Sequence, residues 1–190
     1  MSRLKTFSAV VLAATLPAMA QAADFNLSGG SLLGDTTATA TFSSGGIGLN
    51  ITANSGGSDL DVVLLSDGIG VKTGALDATG IGNGDFLTLT FSQAVNLTSL
   101  KLAGWDIPDN ATLSWAGGSR TLVGDGIVST DTEALSGVVG QVFTLKGTSW
   151  DTTFRLNGLT AVAAVPEPST YALMGLGLVG IAAVRRRRTR

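Results

Sequence analysis

Residues 86–92 alternate from Leu87 onward: Leu87, Leu89 and Phe91 fall on one side, Thr88 and Thr90 on the other. A period of two marks a strand with one buried face, whereas a helix would scatter the same leucines around its axis. Nothing before residue 165 shows a 3.6-residue period of helical length. Short apolar or alternating runs succeed one another instead, at 36–42, 49–52, 61–65, 111–115, 120–123, 142–146, 153–156 and 159–165. Leu97, Leu100 and Leu102 continue the theme of 86–92 beyond a polar break at 93–96. The spaces between runs are Gly, Asn and Asp turns, with Gly45-Gly46 and Gly117-Gly118 as hairpin-type signals. With 26 glycines and only 6% aromatic residues, the composition suits many turns and small side chains.

This spacing predicts an all-β domain, an antiparallel β-sandwich or jelly roll. A short β-solenoid is the other architecture of that kind, but it needs a fixed internal period, and none is present. Residues 25–34 are Gly/Ser-rich and read as an opening loop. Phe91, Trp105, Trp115, Phe143, Trp150 and Phe154 are the large side chains available to a core or its rim.

The two ends have a different character. Arg3 and Lys5 precede an apolar run at 7–16; Pro17 ends it, and small residues follow at Ala18-Met19-Ala20 and Ala20-Gln21-Ala22. That order is a signal peptide, placed at 1–22, with the Sec translocon and signal peptidase as its partners. A retained N-terminal anchor is the alternative, and the shortness of the run favours cleavage. The domain proper then spans 23–164.

The last segment, 165–190, opens with Val165, Pro166, Glu167, Pro168, Ser169 and Thr170. The two prolines fix φ and push their predecessors out of helical geometry, so a helix begins no earlier than about Ser169. Residues 171–184 carry no charge, and Arg185, Arg186, Arg187 and Arg188 close the span. A transmembrane helix over 170–184 is shorter than the ~20 residues of an upright span, a deficit that arginine snorkelling and local thinning make up. The arginines act as a stop, and the positive-inside rule keeps the C-terminus cytoplasmic. A core helix would show a polar stripe, which this run lacks; a nucleic-acid-binding arm would not adjoin an apolar span.

Charge and residue types limit the chemistry. Seven of the twelve basic residues lie in the two end segments, and all fourteen acids lie between Asp24 and Glu167 with five bases, a net of −9. Such a surface repels nucleic acid. Histidine and cysteine are absent, which removes imidazole bases, thiol nucleophiles and ordinary zinc sites. Carboxylate-pair chemistry is what remains. No catalytic motif surrounds the twelve Asp or Glu133, so the expectation is a protein that is not an enzyme. No cofactor is demanded by any motif. Calcium is the ion that suits Asp67, Asp77 and Asp85 in Gly-rich loops, although Asp and Gly also simply make turns. Trp105, Trp115 and Trp150 are the candidates for stacking on sugars, with burial in the core as the alternative.

The tail closely resembles the PEP-CTERM protein-sorting segment of exported bacterial proteins. Pro166-Glu167-Pro168-Ser169-Thr170, the Gly-punctuated span and Arg185–Arg188 carry the resemblance, which covers 26 of the 190 residues. It implies that exosortase, a membrane-embedded transpeptidase-like enzyme, is the processing partner. It further implies transient inner-membrane anchoring with the ectodomain in the periplasm, then release or attachment at the cell surface, in association with exopolysaccharide. A weaker resemblance runs from Asp67-Gly68-Ile69-Gly70-Val71 through Trp105 to ectodomains carried by such tails. The competing expectation is a carbohydrate-binding, calcium-dependent module on the cell surface.

Overall fold

The computed structural model describes residues 21–30, 35–74, 80–126, 130–148, 153–164, 174–175 and 177–179. The signal segment up to residue 20, Asp77, Trp150, Val165 to Thr170 and Arg185 to Arg188 lie outside the described residues.

The chain is mostly strand, as the alternation requires. In order the strands are β1 (Ala22–Asn26), β2 (Asp35–Thr37), β3 (Ala40–Ser44), β4 (Ile47–Ser55), β5 (Ser58–Leu65), β6 (Gly68–Lys72), β7 (Asp85–Ala103), β8 (Asn110–Trp115), β9 (Gly118–Val123), β10 (Thr130–Gly147) and β11 (Arg155–Ala163). Every pairing between them is antiparallel. They form one 11-stranded sheet, with order β1-β11-β6-β5-β4-β7-β10-β8-β9 and an added β11–β7 pairing. That added pairing closes a circuit: β4, β7, β11, β6 and β5 each bond to the next, and β5 returns to β4. The expected all-β antiparallel class is met, with one sheet bent upon itself.

The closure depends on two long strands. β7 pairs with β4 over Asp85 to Phe91 and with β11 over Val95 to Ala103. Its bend lies at Ser92, Gln93 and Ala94, three exposed residues in succession that interrupt the alternation. The polar break expected at 93–96 is therefore a bend inside a 19-residue strand. β10 follows β7 along both halves, with register shifts between Ala134 and Val138 and between Gly140 and Val142. Such irregularities let a strand coil and change sheet direction.

Two hairpins turn on paired glycines. Gly45 and Gly46 have φ of 54° and 77° between Ser44 and Ile47, and Gly56 and Gly57 have 57° and 87° between Ser55 and Ser58. Positive φ at both turn positions is the geometry that matches the strand twist, and glycine reaches it without strain.

The interior is apolar. Leu87, Leu89 and Phe91 are all buried, as their spacing predicts, and Phe91 stands edge-on to Phe25 of β1 at 5.9 Å and to Phe143 of β10 at 5.7 Å. At the other end Trp105 meets Phe154 edge-to-face at 4.9 Å. β1 shows that the opening-loop reading of 25–34 starts too early: Ala23, Phe25 and Leu27 point inward while β1 pairs with β11. β6 is hidden in the sequence by its glycines, yet Gly68 to Val71 are buried on both faces between β5 and β11.

Candidate functional site

The last strand leads directly to the tail. β11 lies between β1 and β7, so its final residues are held from both sides. Val162 faces Ala22 on one flank and Asn96 on the other, Ala163 faces Val95, and the Ala164 N–H donates to the Ala94 carbonyl at 3.0 Å. The first and last residues of the folded domain thus leave from one corner on neighbouring strands, about 5 Å apart at the Ala22–Val162 pair. β1 begins at Ala22, so cleavage after Ala20 leaves the strand whole and cleavage after Ala22 removes its first residue.

The sorting model begins where this hydrogen bonding ends. Residues 164–188 match the PEP-CTERM protein-sorting motif. The motif thus starts at the residue that follows β11, whose N–H is bonded to the Ala94 carbonyl. A comparison with curated proteins finds no match to the chain. Within the motif, residues 174–175 and 177–179 are helical, and Met174, Leu178 and Val179 are each more than 60% exposed. Those side chains are not part of the core of the sheet. Among the described residues no helix is long and apolar enough to cross a membrane, and the span 171–184 lies mostly outside them.

Of the candidate metal ligands, the two described ones, Asp67 and Asp85, stand apart, and Asp77 lies outside the described residues. Asp67 sits on the β5–β6 turn, where its Oδ2 pairs with Arg155 Nη1 at 2.9 Å and its carbonyl accepts from Asn157 Nδ2 at 2.8 Å. Asp85 opens β7 beside Ser55, at the opposite end of β5, and its Oδ2 accepts the Gly82 N–H at 3.0 Å. Each carboxylate holds a turn in place, and among the described residues no three acids converge as an ion requires.

The tryptophans separate as well. Trp105 is fully buried; its Nε1–H donates to Glu133 Oε1 at 3.1 Å, and it has no ring face open to a sugar. Trp115, at the end of β8, is half-buried, with its indole beside Gly117 and Gly118. Of the described pair it alone offers surface.

Sequence reasoning gave no special place to Asp109. The residue is 3% exposed; its carboxylate accepts the Asp106 N–H at 2.9 Å and belongs to a corner in which Gly124 N–H donates to the Asp109 carbonyl. Burial pushes the Asp109 carboxyl above the ordinary range, and the nearby Asp106 charge adds to that rise against the lowering effect of the backbone hydrogen bond. The Asp106-Ile107-Pro108-Asp109 order, with an Asx-type bond back to Asp106, is the sequence signal for such a corner.

An open polar trough crosses the β1–β11–β7 region, lined among others by Asp24, Asn26, Asp67, Lys101 and Thr160. Asp24 Oδ1 accepts from Thr160 Oγ1 at 2.7 Å, and Asp67 is engaged by Arg155. Both of its carboxylates thus have protein partners.

Proposed function

We propose that this chain is an exported, non-enzymatic envelope protein that exosortase processes at its C-terminal tail. The observation that carries this reading is the match to the sorting motif over 164–188, beginning where β11 ends. In this reading residues 1–22 direct export, 171–184 hold the chain in the inner membrane, and Arg185 to Arg188 set the depth. Pro166 and Pro168 present an extended backbone around Glu167, the form that a protease or transpeptidase takes up. The mature domain then resides at the cell surface or in an exopolysaccharide-rich matrix, an association that the tail resemblance supports. The absence of His and Cys supports a non-catalytic role, as does the structural use made of Asp67, Asp85 and Asp109.

The test is a blot of epitope-tagged protein in cells with and without exosortase. Glu167→Ala and Pro168→Ala should insert normally and accumulate unprocessed. Replacing Arg185 to Arg188 with Ser should weaken retention before processing. The same mature size in both cell types, with normal processing of the Pro-Glu-Pro variants, would reduce the tail to an anchor.

A further inference from the structure

Six parts of the chain meet at the end of the sheet where β11 stops: the start of β1, the β3–β4 turn, the bends of β7 and β10, the β8–β9 turn and Ala164. Direct contacts join them. A Cβ on Gly45 would lie 3.2 Å from that of Ala23, and the Gly48 N–H donates to Ser92 Oγ at 2.9 Å. Gln141 Nε2 donates to the Phe91 carbonyl at 3.1 Å, and a Cβ on Gly140 would lie 3.7 Å from the Trp115 Cβ.

The segments that meet at this pole, 22–23, 44–47, 92–95, 115–118, 139–142 and 162–164, contain no ionisable side chain; Asp24, which accepts from Thr160, and Arg120 follow within two residues along the chain. The pole instead shows Val139 and Val142, each 48% exposed, and the half-buried Trp115. The opposite end of β8 differs. Exposed Ile107 there lies between Asp106 and the buried Asp109, and its N–H donates to the carbonyl of Gly126, next to Asp125.

Reach decides what the uncharged pole faces. From Ala164 to Tyr171, where the apolar span starts, is seven residues. At no more than ~3.6 Å per residue the domain stays within about 25 Å of the hydrocarbon while the tail is inserted, and the headgroup layer occupies part of that distance. Laying charges against that layer would strip their water, whereas small, uncharged groups lose little. Trp is at home where apolar and wet surroundings meet, and an anionic leaflet repels the acidic corner.

We propose that this uncharged, Trp115-bearing pole is the face that the folded domain lays against the lipid headgroup surface before processing. The inference rests on reading 171–184 as a membrane span. The chain has no cysteine, so single labels are simple to place. The full chain without its signal segment is reconstituted in vesicles of phosphatidylethanolamine and phosphatidylglycerol. A fluorophore is placed at Gln93→Cys, Val139→Cys or Ile107→Cys, and quenching by a headgroup nitroxide lipid is read after flotation. The expected result is loss of fluorescence at Gln93→Cys and Val139→Cys with none at Ile107→Cys. Adding Val142→Glu to the Gln93→Cys chain should relieve the quenching while the protein still floats. Flotation with equal quenching at all three positions overturns the inference alone; failure to float overturns the membrane-span reading and the inference with it. Quenching of the two pole labels that requires co-reconstituted exosortase also overturns it, because the pole then faces the enzyme.

Discussion

Truncating Phe91 to Ala should remove a large share of the stability of the domain. The ring is 1% exposed and holds edge contacts to Phe25 at 5.9 Å and Phe143 at 5.7 Å, so it joins β1, β7 and β10 at one point. Core Phe→Ala changes cost about 3–5 kcal/mol, more where the surroundings cannot collapse into the space. Here the three rings belong to strands of one closed sheet, which places the cost near the upper part, about 4–5 kcal/mol. Against a typical domain stability of about 5–15 kcal/mol that is a large share. For a domain of this size it corresponds to a fall in Tm of about 10–20 °C. Phe91→Leu keeps much of the volume and should lose about 1–3 kcal/mol, the worth of two aromatic edge contacts. The assay is urea unfolding of residues 21–164 followed by circular dichroism, with an unchanged slope and a shifted midpoint. Val142→Ala, on the exposed side, is the control and should stay within about 0.5 kcal/mol. A loss below about 1 kcal/mol for Phe91→Ala, well under the ordinary range for such changes, would refute a core centred on this ring.

Asp109→Asn tests the buried carboxyl. Because its folded pKa is raised, the charged form costs stability above that pKa, and the cost is relieved as pH falls through it toward the ordinary carboxylate range. The variant should flatten that part of the pH–stability curve, read from urea midpoints near neutrality and in mild acid; an unchanged slope would reject the assignment. Trp105→Phe keeps the contact with Phe154 but loses the Nε1–H bond to Glu133, and a calorimetric scan should show a loss of about 1 kcal/mol. Gly147→Ala should cost about 2 kcal/mol or more, since a Cβ there would overlap the Gly82 carbonyl; hydrogen exchange should show the 82–85 segment opening first.

Several elements were readable from the sequence because their side chains report burial directly. Leu87, Leu89 and Phe91 fill the core as the alternation says, and the Gly45-Gly46 turn sits where paired glycines mark it. β6 was not readable, because Gly68, Ile69, Gly70 and Val71 are buried on both faces and leave no alternation to detect. The continuity of β7 through Ser92, Gln93 and Ala94 was hidden for a related reason: a strand that changes partner breaks its own period. At the sites, residue type named turn-forming acids correctly but carried no distance. Only the register shows that Asp67 and Asp85 stand at opposite ends of β5. Trp105 and Trp115 have the same chemistry, and burial alone separates a core indole from a surface one.

The placement of β11 between β1 and β7 also fixes how the domain bears mechanical load. A pull applied through Ala164 runs along β11, parallel to the strand and across hydrogen bonds on both flanks. Such bonds are strained together in shear and none can be peeled first. A pull between Ala22 and Val162 would instead part β1 from β11 one pair at a time, because the two ends leave from the same side. A domain tethered by its C-terminal end alone therefore meets drag in its resistant direction, and a second tether at the N-terminus would expose the weak one.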